Sequence, residues 1–468
     1  MQLTANGEQD NYITGNPQIT YFKSVYRKHT NFAIESIQQI MDGKLGTEET
    51  ATSSTIKISK SADLLNKVYI VCPQTKEGIN GSELISNVEM IIGGTKVDYQ
   101  TNEWMKVWNE LTISNDKCDG YRYMSGSGFP ETISGIDNKQ SCVMVPLLFW
   151  FCRHIGLSLP LIALQYHDII IKIEWGINSK INRDGNSNRS SICEVWTDNI
   201  FLDTDERKRF GENSHEYLIE QVQIIDTINQ SPDTKFKMNS FNHLVKEIIW
   251  VEKEGEEIDK EKVNITLNGI ERISEQYKEY YTLLQPYNRH TNIPSYNIKE
   301  YGNPEVLIDP ISMGQCTYDT NSSFVYDNQK PLVGDTITIE ESGKGITGIH
   351  TITGIDIDSS IVTFIPPSSE GGVGQLTSRI ISRRYNPRSK YSNYKKNIYV
   401  YSFCLNPEEH QPSGTCNFST LNDSKIVYTT SVSIDKIFAF NYNILRISNG
   451  LSSLVYTQKI CLISKYNK

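Results

Sequence analysis

Residues Asn397–Ser419 read NIYVYSFCLNPEEHQPSGTCNFS, and this stretch decides how the rest of the 468-residue chain is read. It opens with a period-two alternation. Ile398, Val400, Ser402 and Cys404 fall on one side, and Tyr399, Tyr401, Phe403 and Leu405 on the other. Successive strand residues point to opposite faces, so two largely apolar faces predict a strand inside a sandwich rather than one over solvent. Pro407 and then Pro412-Ser413-Gly414 turn the chain, and Cys416 and Phe418 begin a second apolar alternation.

Strand signals of the same kind recur on the N-terminal side. Ile56 and Ile58 alternate with Lys57 and Ser59, and Val68, Ile70 and Cys72 alternate with Tyr69 and Val71 up to Pro73. Val88, Met90 and Ile92 run into a Gly93-Gly94 turn. Ile169, Ile171, Ile173 and Trp175 face one way while Asp168, Lys172 and Glu174 face the other, the pattern of a half-buried strand. Tyr121–Gly135 and Asn182–Ser191 read as loops, and short helices fit Ser82–Asn87 or Asn102–Glu110. A change of unit falls near Lys208–Ser214, after which strands restart at Tyr217–Ile225 and Leu244–Val251. No sequence repeat relates the two halves. The 26 Tyr and 15 Phe agree with a β-rich chain. With 38% hydrophobic and 22% charged residues, wholesale disorder is excluded.

The opening stretch closely resembles the hallmark segment of the major capsid proteins of large icosahedral DNA viruses of eukaryotes, the chlorella-virus and iridovirus type. Three further strings resemble other signatures of that family, in the same order. They are GEQDNYITGNPQITYFKSVYRKHTNFAIESIQQ (Gly7–Gln39), LSLPLIALQYHDIIIKIEW (Leu157–Trp175) and FAFNYNILRISNGLSSLVY (Phe438–Tyr456). The resemblance implies an all-β, double jelly-roll capsid fold of two consecutive eight-stranded antiparallel jelly rolls. An N-terminal arm would take 1–24, the first roll 25–212 and the second 213–468. One departure stands out. Tyr281–Tyr287 resembles a segment that in the family leads quickly to the NIYVYSF strand, whereas here about a hundred residues, 295–396, intervene. Ile337/Ile339 and Val362/Phe364 alternate there between Gly and Asp turns, so a small β-rich insertion in the second roll is expected.

The function implied by the resemblance is assembly. Homotrimers would form pseudo-hexagonal capsomers that tile the outer shell of a large double-stranded DNA virion, assembled in the host cytoplasm. Implied partners are further copies of the chain, minor capsid proteins, the inner viral membrane and glycans on outer loops. Tyr12, Tyr21, Phe22, Tyr26 and Arg27 of the arm, with Glu408, Glu409 and His410 of the hallmark loop, are the candidate assembly or inner-face contacts. Arg383, Arg384, Tyr385, Arg388, Tyr391 and Tyr394 form a basic-aromatic cluster. It suits sugar or base stacking, the solvated limb of an insertion, or an acidic neighbouring subunit. Two other readings stay open: a minor capsid or penton-type protein, and a soluble carbohydrate-binding β-sandwich.

The residues argue against other chemistry. Lys+Arg 46 against Asp+Glu 55 gives a net charge of −9, which disfavours a coat that neutralises phosphates, so no direct nucleic-acid binding is expected. Nine scattered cysteines with no CxxC pair suggest neither a zinc ribbon nor a redox motif, and read as a reducing compartment. Cys142–Leu164 is long and apolar, but Arg153 and His154 sit at its centre, so a strand, a connection and another strand is the better reading than a membrane span. His215–Ile219 begins like HExxH but has Ile219 at the second His, and Gly156–Pro160 lacks the last Gly of a nucleophile elbow. Gly343-Lys344-Gly345 lacks the Ser/Thr of a phosphate loop, and Asp356–Ser360 has Ile361 where a calcium loop needs Gly. No catalytic residue, cofactor or metal is expected.

Overall fold

The computed structural model describes residues 7–43, 53–73, 81–126, 142–176, 193–227, 231–253, 262–294, 394 and 396–456, and the strand backbones within 308–381. The first half supplies β1 (Phe32–Gln39), β2 (Ser53–Lys57), β3 (Leu64–Pro73), β4 (Ile85–Ile92), β5 (Thr95–Thr101), β6 (Cys142–Pro146), β7 (Ile169–Trp175) and β8 (Glu194–Leu202). The second supplies β9 (His215–Asp226), β10 (Asp233–Lys237), β11 (Leu244–Glu252), β12 (Lys262–Leu267), β13 (Ile270–Tyr277), β14 (Ile398–Ser402), β15 (Ser424–Val432) and β16 (Ile434–Ser448). All their pairings are antiparallel.

The two halves repeat one topology. In the first, β1-β8-β3-β6 form one sheet and β2-β7-β4-β5 the other; in the second, β9-β16-β11-β14 and β10-β15-β12-β13 follow the same order. Short strands extend these sheets, Leu159–Pro160 on β3, Cys416–Asn417 on β11 and Leu451–Leu454 on β16 among them. Each half is thus a jelly roll, with two sheets face to face and consecutive strands crossing between them, except at the β4–β5 and β12–β13 hairpins. The repeat reaches the turns. Gly93-Gly94 joins β4 to β5 and Asn268-Gly269 joins β12 to β13, and all four residues have positive φ. A two-residue hairpin with φ > 0 at both central positions matches strand twist, and Gly and Asn adopt it most cheaply.

Helix α1 (Asn102–Thr112) follows β5, with Thr101 capping it by accepting from the Trp104 backbone N–H. The helix expected at Asn102–Glu110 is therefore present, whereas Ser82–Asn87 is a 3-10 turn followed by β4. Residues Tyr121–Ser125, expected as loop, end a helix that begins at Asn115 and stops at Gly126 in the left-handed region. Cys142–Leu164 holds β6, a helical turn at Trp150–Arg153 and only a two-residue strand at Leu159–Pro160. No helix among the described residues is long and apolar enough to cross a membrane. Helix α2 (Thr204–Glu212), N-capped by Asp203, runs between β8 and β9.

The hallmark strand β14 is buried on both faces. Tyr399 enters the core between the two sheets of the second half, with Trp250, Val263, Ile265, Ile426 and Ile437. Ile398 and Val400 enter a different cluster on the opposite face. The loop after it closes through Gly414, whose φ of +139° and approach to the Phe403 carbonyl leave no room for a Cβ. The second alternation after it is short, a two-residue strand at Cys416–Asn417 and a 3-10 turn at Phe418–Thr420. Within the insertion, the described strands form a six-stranded sheet, with Thr336–Ile339 and Ile361–Phe364 each pairing with Gly348–Asp356.

Trp250 is the largest side chain at the centre of the second core, stacked on Tyr399 at 5.4 Å, its indole N–H donating to the Tyr428 hydroxyl at 2.6 Å. Truncation removes that packing and leaves a cavity. Trp250→Ala is expected to lower stability by about 3–5 kcal/mol, read as a fall in the urea midpoint at unchanged slope.

Candidate functional site

For a chain with two sandwiches, the geometry that matters is how they are held side by side. Helix α1 leaves the first half and lays Trp104, Val107, Trp108 and Leu111 on the outer face of the β9-β16-β11-β14 sheet. There they meet Val222, Ile249, Val251, Ile398, Val400, Phe438 and Phe440. Residues spaced three and four apart share a helix face, which is why these four side chains converge. Trp104 sits 5.4 Å from Phe438 and 5.6 Å from Phe440, and Trp108 lies 4.9 Å from Phe440, all tilted. The two rolls therefore share a core.

A chain of charges runs through this junction. The Arg153 guanidinium stacks over Trp108 at 4.5 Å and Phe440 at 4.7 Å, and donates to Glu220 of β9 at 2.8 Å. The other Glu220 oxygen accepts from Lys246 of β11, whose side chain is fully buried and also donates to the Glu409 carbonyl at 3.3 Å. The neighbouring Glu247 meets His290 Nε2 at 3.0 Å, and Glu408 meets His290 Nδ1 at 3.1 Å. Glu408 also accepts from the Thr291 backbone N–H at 2.7 Å and from its hydroxyl. Burial alone would lower the His290 pKa, but the two carboxylates outweigh it and hold it up at about 9. Burial is also the largest influence on Asp98, raising it to about 6 against the hydrogen bond from Gln100 and the attraction of Arg153.

The stems of the insertion are fastened to the same helix. On the outgoing stem the Asn292 backbone N–H donates to the Leu111 carbonyl at 2.9 Å, and its side chain to the Glu110 carbonyl at 3.1 Å, satisfying carbonyls at the end of α1. On the returning stem Tyr394 donates to Glu103 at 2.9 Å, and Lys396 bridges Glu103 at 2.7 Å and Asp435. Burial pushes the Glu103 carboxyl up, but Lys396 and Lys436 outweigh it and hold it below the usual carboxylate range.

Two family profiles match the chain, "Major capsid protein N-terminus" over residues 20–203 and "Large eukaryotic DNA virus major capsid protein" over 386–453. The major capsid protein of Pyramimonas orientalis virus is 35% identical over 98% of both chains. The chain belongs to the major capsid proteins of the large eukaryotic DNA viruses. That of Paramecium bursaria Chlorella virus 1 is 32% identical over 97% of this chain and 98% of its own. Among solved structures, a quasi-atomic model of the PBCV-1 virus capsid aligns at TM-score 0.62 and 24% identity, covering 94% of this chain and all of that one. The Faustovirus major capsid protein aligns at 0.55 and 12%, covering 95% and 94%. The shared fold is the double jelly roll.

In this capsid protein the residues singled out from sequence do not converge on one place. Tyr12, Tyr21, Phe22, Tyr26 and Arg27 lie on an exposed N-terminal segment. Glu408 is turned inward and pins its loop to His290 and Thr291, Glu409 is exposed apart from its carbonyl bond, and His410 is half-buried. Tyr394 binds Glu103, while Arg383, Arg384, Tyr385, Arg388 and Tyr391 lie outside the described residues. Gly343–Gly345 and most of Asp356–Ser360 lie outside them too. His215–Ile219 lies on β9, so its side chains alternate rather than share a helix face, and the His215 ring contacts the Phe210 carbonyl at 2.8 Å. Ser158 donates to the Ile155 carbonyl at 2.6 Å and accepts from Asn66 at 3.0 Å. Arg153, Glu220, Lys246, Glu247 and His290 were not anticipated as a group. Adjacent Lys246-Glu247 inside the apolar run LVKEIIWVE was the available signal, because a strand buried on both faces must pair any charge it carries.

Glu220→Gln strands the buried Lys246 ammonium and is expected to cost about 3–5 kcal/mol. The double change Glu220→Gln/Lys246→Met should recover only the part due to Lys246, since Arg153 still lacks its carboxylate, as equilibrium unfolding of the four-member cycle would show. The raised His290 pKa has a signed consequence. Protonated His290 stabilises the fold fully below about pH 6.5, and the contribution fades between there and pH 9 and is gone above it, on the order of 3 kcal/mol in all. Glu247→Gln should be less stable than wild type at pH 7, with the gap closing towards pH 10 in parallel denaturation curves.

Proposed function

We propose that this protein forms homotrimeric, pseudo-hexagonal capsomers that tile the outer shell of its virion. The observation that carries this reading is the repeated strand order in the two rolls, locked side by side by α1. Two similar sandwiches in each chain give a three-fold assembly six roughly equivalent wedges, so a trimer fills a hexagonal position in a lattice. Closed rotational symmetry and edge complementarity then do what bond chemistry does in an enzyme. The role is structural, in keeping with the family.

The chain divides, on this reading, into an arm at 1–24, a first roll at 25–212 and a second at 213–468 that carries 295–396 as decoration on its outer loops. The exposed Tyr12, Tyr21, Phe22, Tyr26 and Arg27 give the arm apolar and cationic groups with which to meet minor capsid proteins or the inner viral membrane at the capsomer base. The basic-aromatic residues 383–394 would contact glycans or a host surface from the decoration, and assembly would proceed in the host cytoplasm.

Light scattering on the purified protein should give about 160 kDa, three times the 53.3 kDa chain. Excision of 295–393 with a short linker, which keeps the Tyr394 and Lys396 stem contacts, should leave that mass reduced only by the missing residues. A stable monomer of the intact chain would count against self-assembly into trimers. Loss of trimers on excision alone would make the insertion a lattice clamp instead of decoration.

A further inference from the structure

Cys72 and Cys193 are the first-half cysteines that the strand register brings face to face. In the β3–β8 ladder Glu194 pairs with Val71 and Val195 with Ile70, so the next step sets Cys193 directly opposite Cys72. Val195 and Ile70 are both buried, and Cys193 and Cys72 lie two residues along on the same side, at 1% and 0% exposure. Their sulfur atoms are 2.7 Å apart. Directly opposed residues of an antiparallel pair hold their Cβ atoms at a spacing that overlaps the one a disulfide requires. Cys142 is the neighbouring alternative. It lies on β6, pairs with Pro73 of β3 and is only half-buried, one register step out of line with Cys72.

We propose that Cys72 and Cys193 are a disulfide-forming pair that closes as a cross-strand bond under oxidising conditions. A small-molecule disulfide such as oxidised glutathione serves as oxidant. A thiolate of the pair attacks one of its sulfurs and releases one glutathione thiol. The second cysteine then attacks the mixed disulfide and releases the other, so two thiols are oxidised, one disulfide is reduced and two protons transfer overall. Both cysteines lie at the end of the ladder, Cys72 one residue from the end of β3 and Cys193 just before β8, where strand fraying opens the site to the oxidant. A reducing compartment keeps the pair as thiols, and a disulfide-rich medium closes it. The bond would join residues 121 positions apart and tie together the ends of the segment that contains β4 to β7. Cross-linking a long loop restricts the unfolded chain, so the closed form should be the more heat-resistant.

The test uses the full-length protein in glutathione buffers of graded oxidised-to-reduced ratio, quenched with N-ethylmaleimide and digested with trypsin without reductant. A linked pair of peptides 68–76 and 190–207 should accumulate with the ratio and vanish with dithiothreitol. The wild-type melting temperature should rise by several degrees between the reduced and oxidised ends, and that of Cys193→Ala should not move. If Cys193→Ala does not fold, Cys193→Val, which keeps the site filled, replaces it, and the wild-type peptide map stands by itself. Maleimide on both cysteines at every ratio, or a link from Cys72 to Cys142, would overturn the proposal.

Discussion

The structure depends on one constraint: the β9-β16-β11-β14 sheet is apolar on both faces, and both must be covered. One face is covered by its own partner sheet, as in any sandwich. The other is covered by α1 from the first half, with Trp104 and Trp108 against Phe438 and Phe440. Without that helix the sheet would present Ile249, Val251, Ile398 and Val400 to water. The same burial that stabilises the second roll therefore fixes its position relative to the first. Orientation between rolls is a property of the core and not of a linker.

The charges threaded through this junction add discrimination more than stability. Burying Arg153, Glu220 and Lys246 carries a desolvation cost that their mutual attraction roughly offsets. A sheet slipped by one residue would, however, turn Lys246 and Glu247 to the wrong faces and leave each without its partner. Such a network tolerates one docking of the rolls and penalises neighbouring ones. A building block that must repeat many times in a lattice benefits from that rigidity.

The insertion follows from the same arrangement. Its two stems are tied to opposite ends of α1, through Asn292 at the C-terminal carbonyls and through Tyr394 and Lys396 at Glu103. With the ends anchored, the cost of a longer connection grows only slowly with its length. The segment between Tyr287 and Asn397 can thus hold a six-stranded sheet of its own while β14 keeps its place in the second roll. A few stem contacts separate the insertion from the core of the second roll.

Much of the fold was legible in the residues. The alternation at Ile398–Ser402, although the strand stops there and not at Leu405, the half-buried pattern at Ile169–Trp175 and the turn at Gly93-Gly94 depend on local geometry, where side chains alternate by strand and φ > 0 favours Gly. The Asn268-Gly269 turn is equally readable, and the two apolar faces of β14 imply that both are covered. The sequence could not name what covers the second face. Trp104 and Phe438 are more than three hundred residues apart, and no local pattern links them. Glu408 beside His410 was visible as a charged loop, but its bond to His290 across the insertion was not, because ion-pair partners are set by packing. Strand positions, turns and family membership thus belong to the sequence, written in short-range periodicity. The shared core, the buried charge chain and the facing of Cys72 by Cys193 were decided only by the tertiary structure, because each joins residues that come together after the sheets have formed.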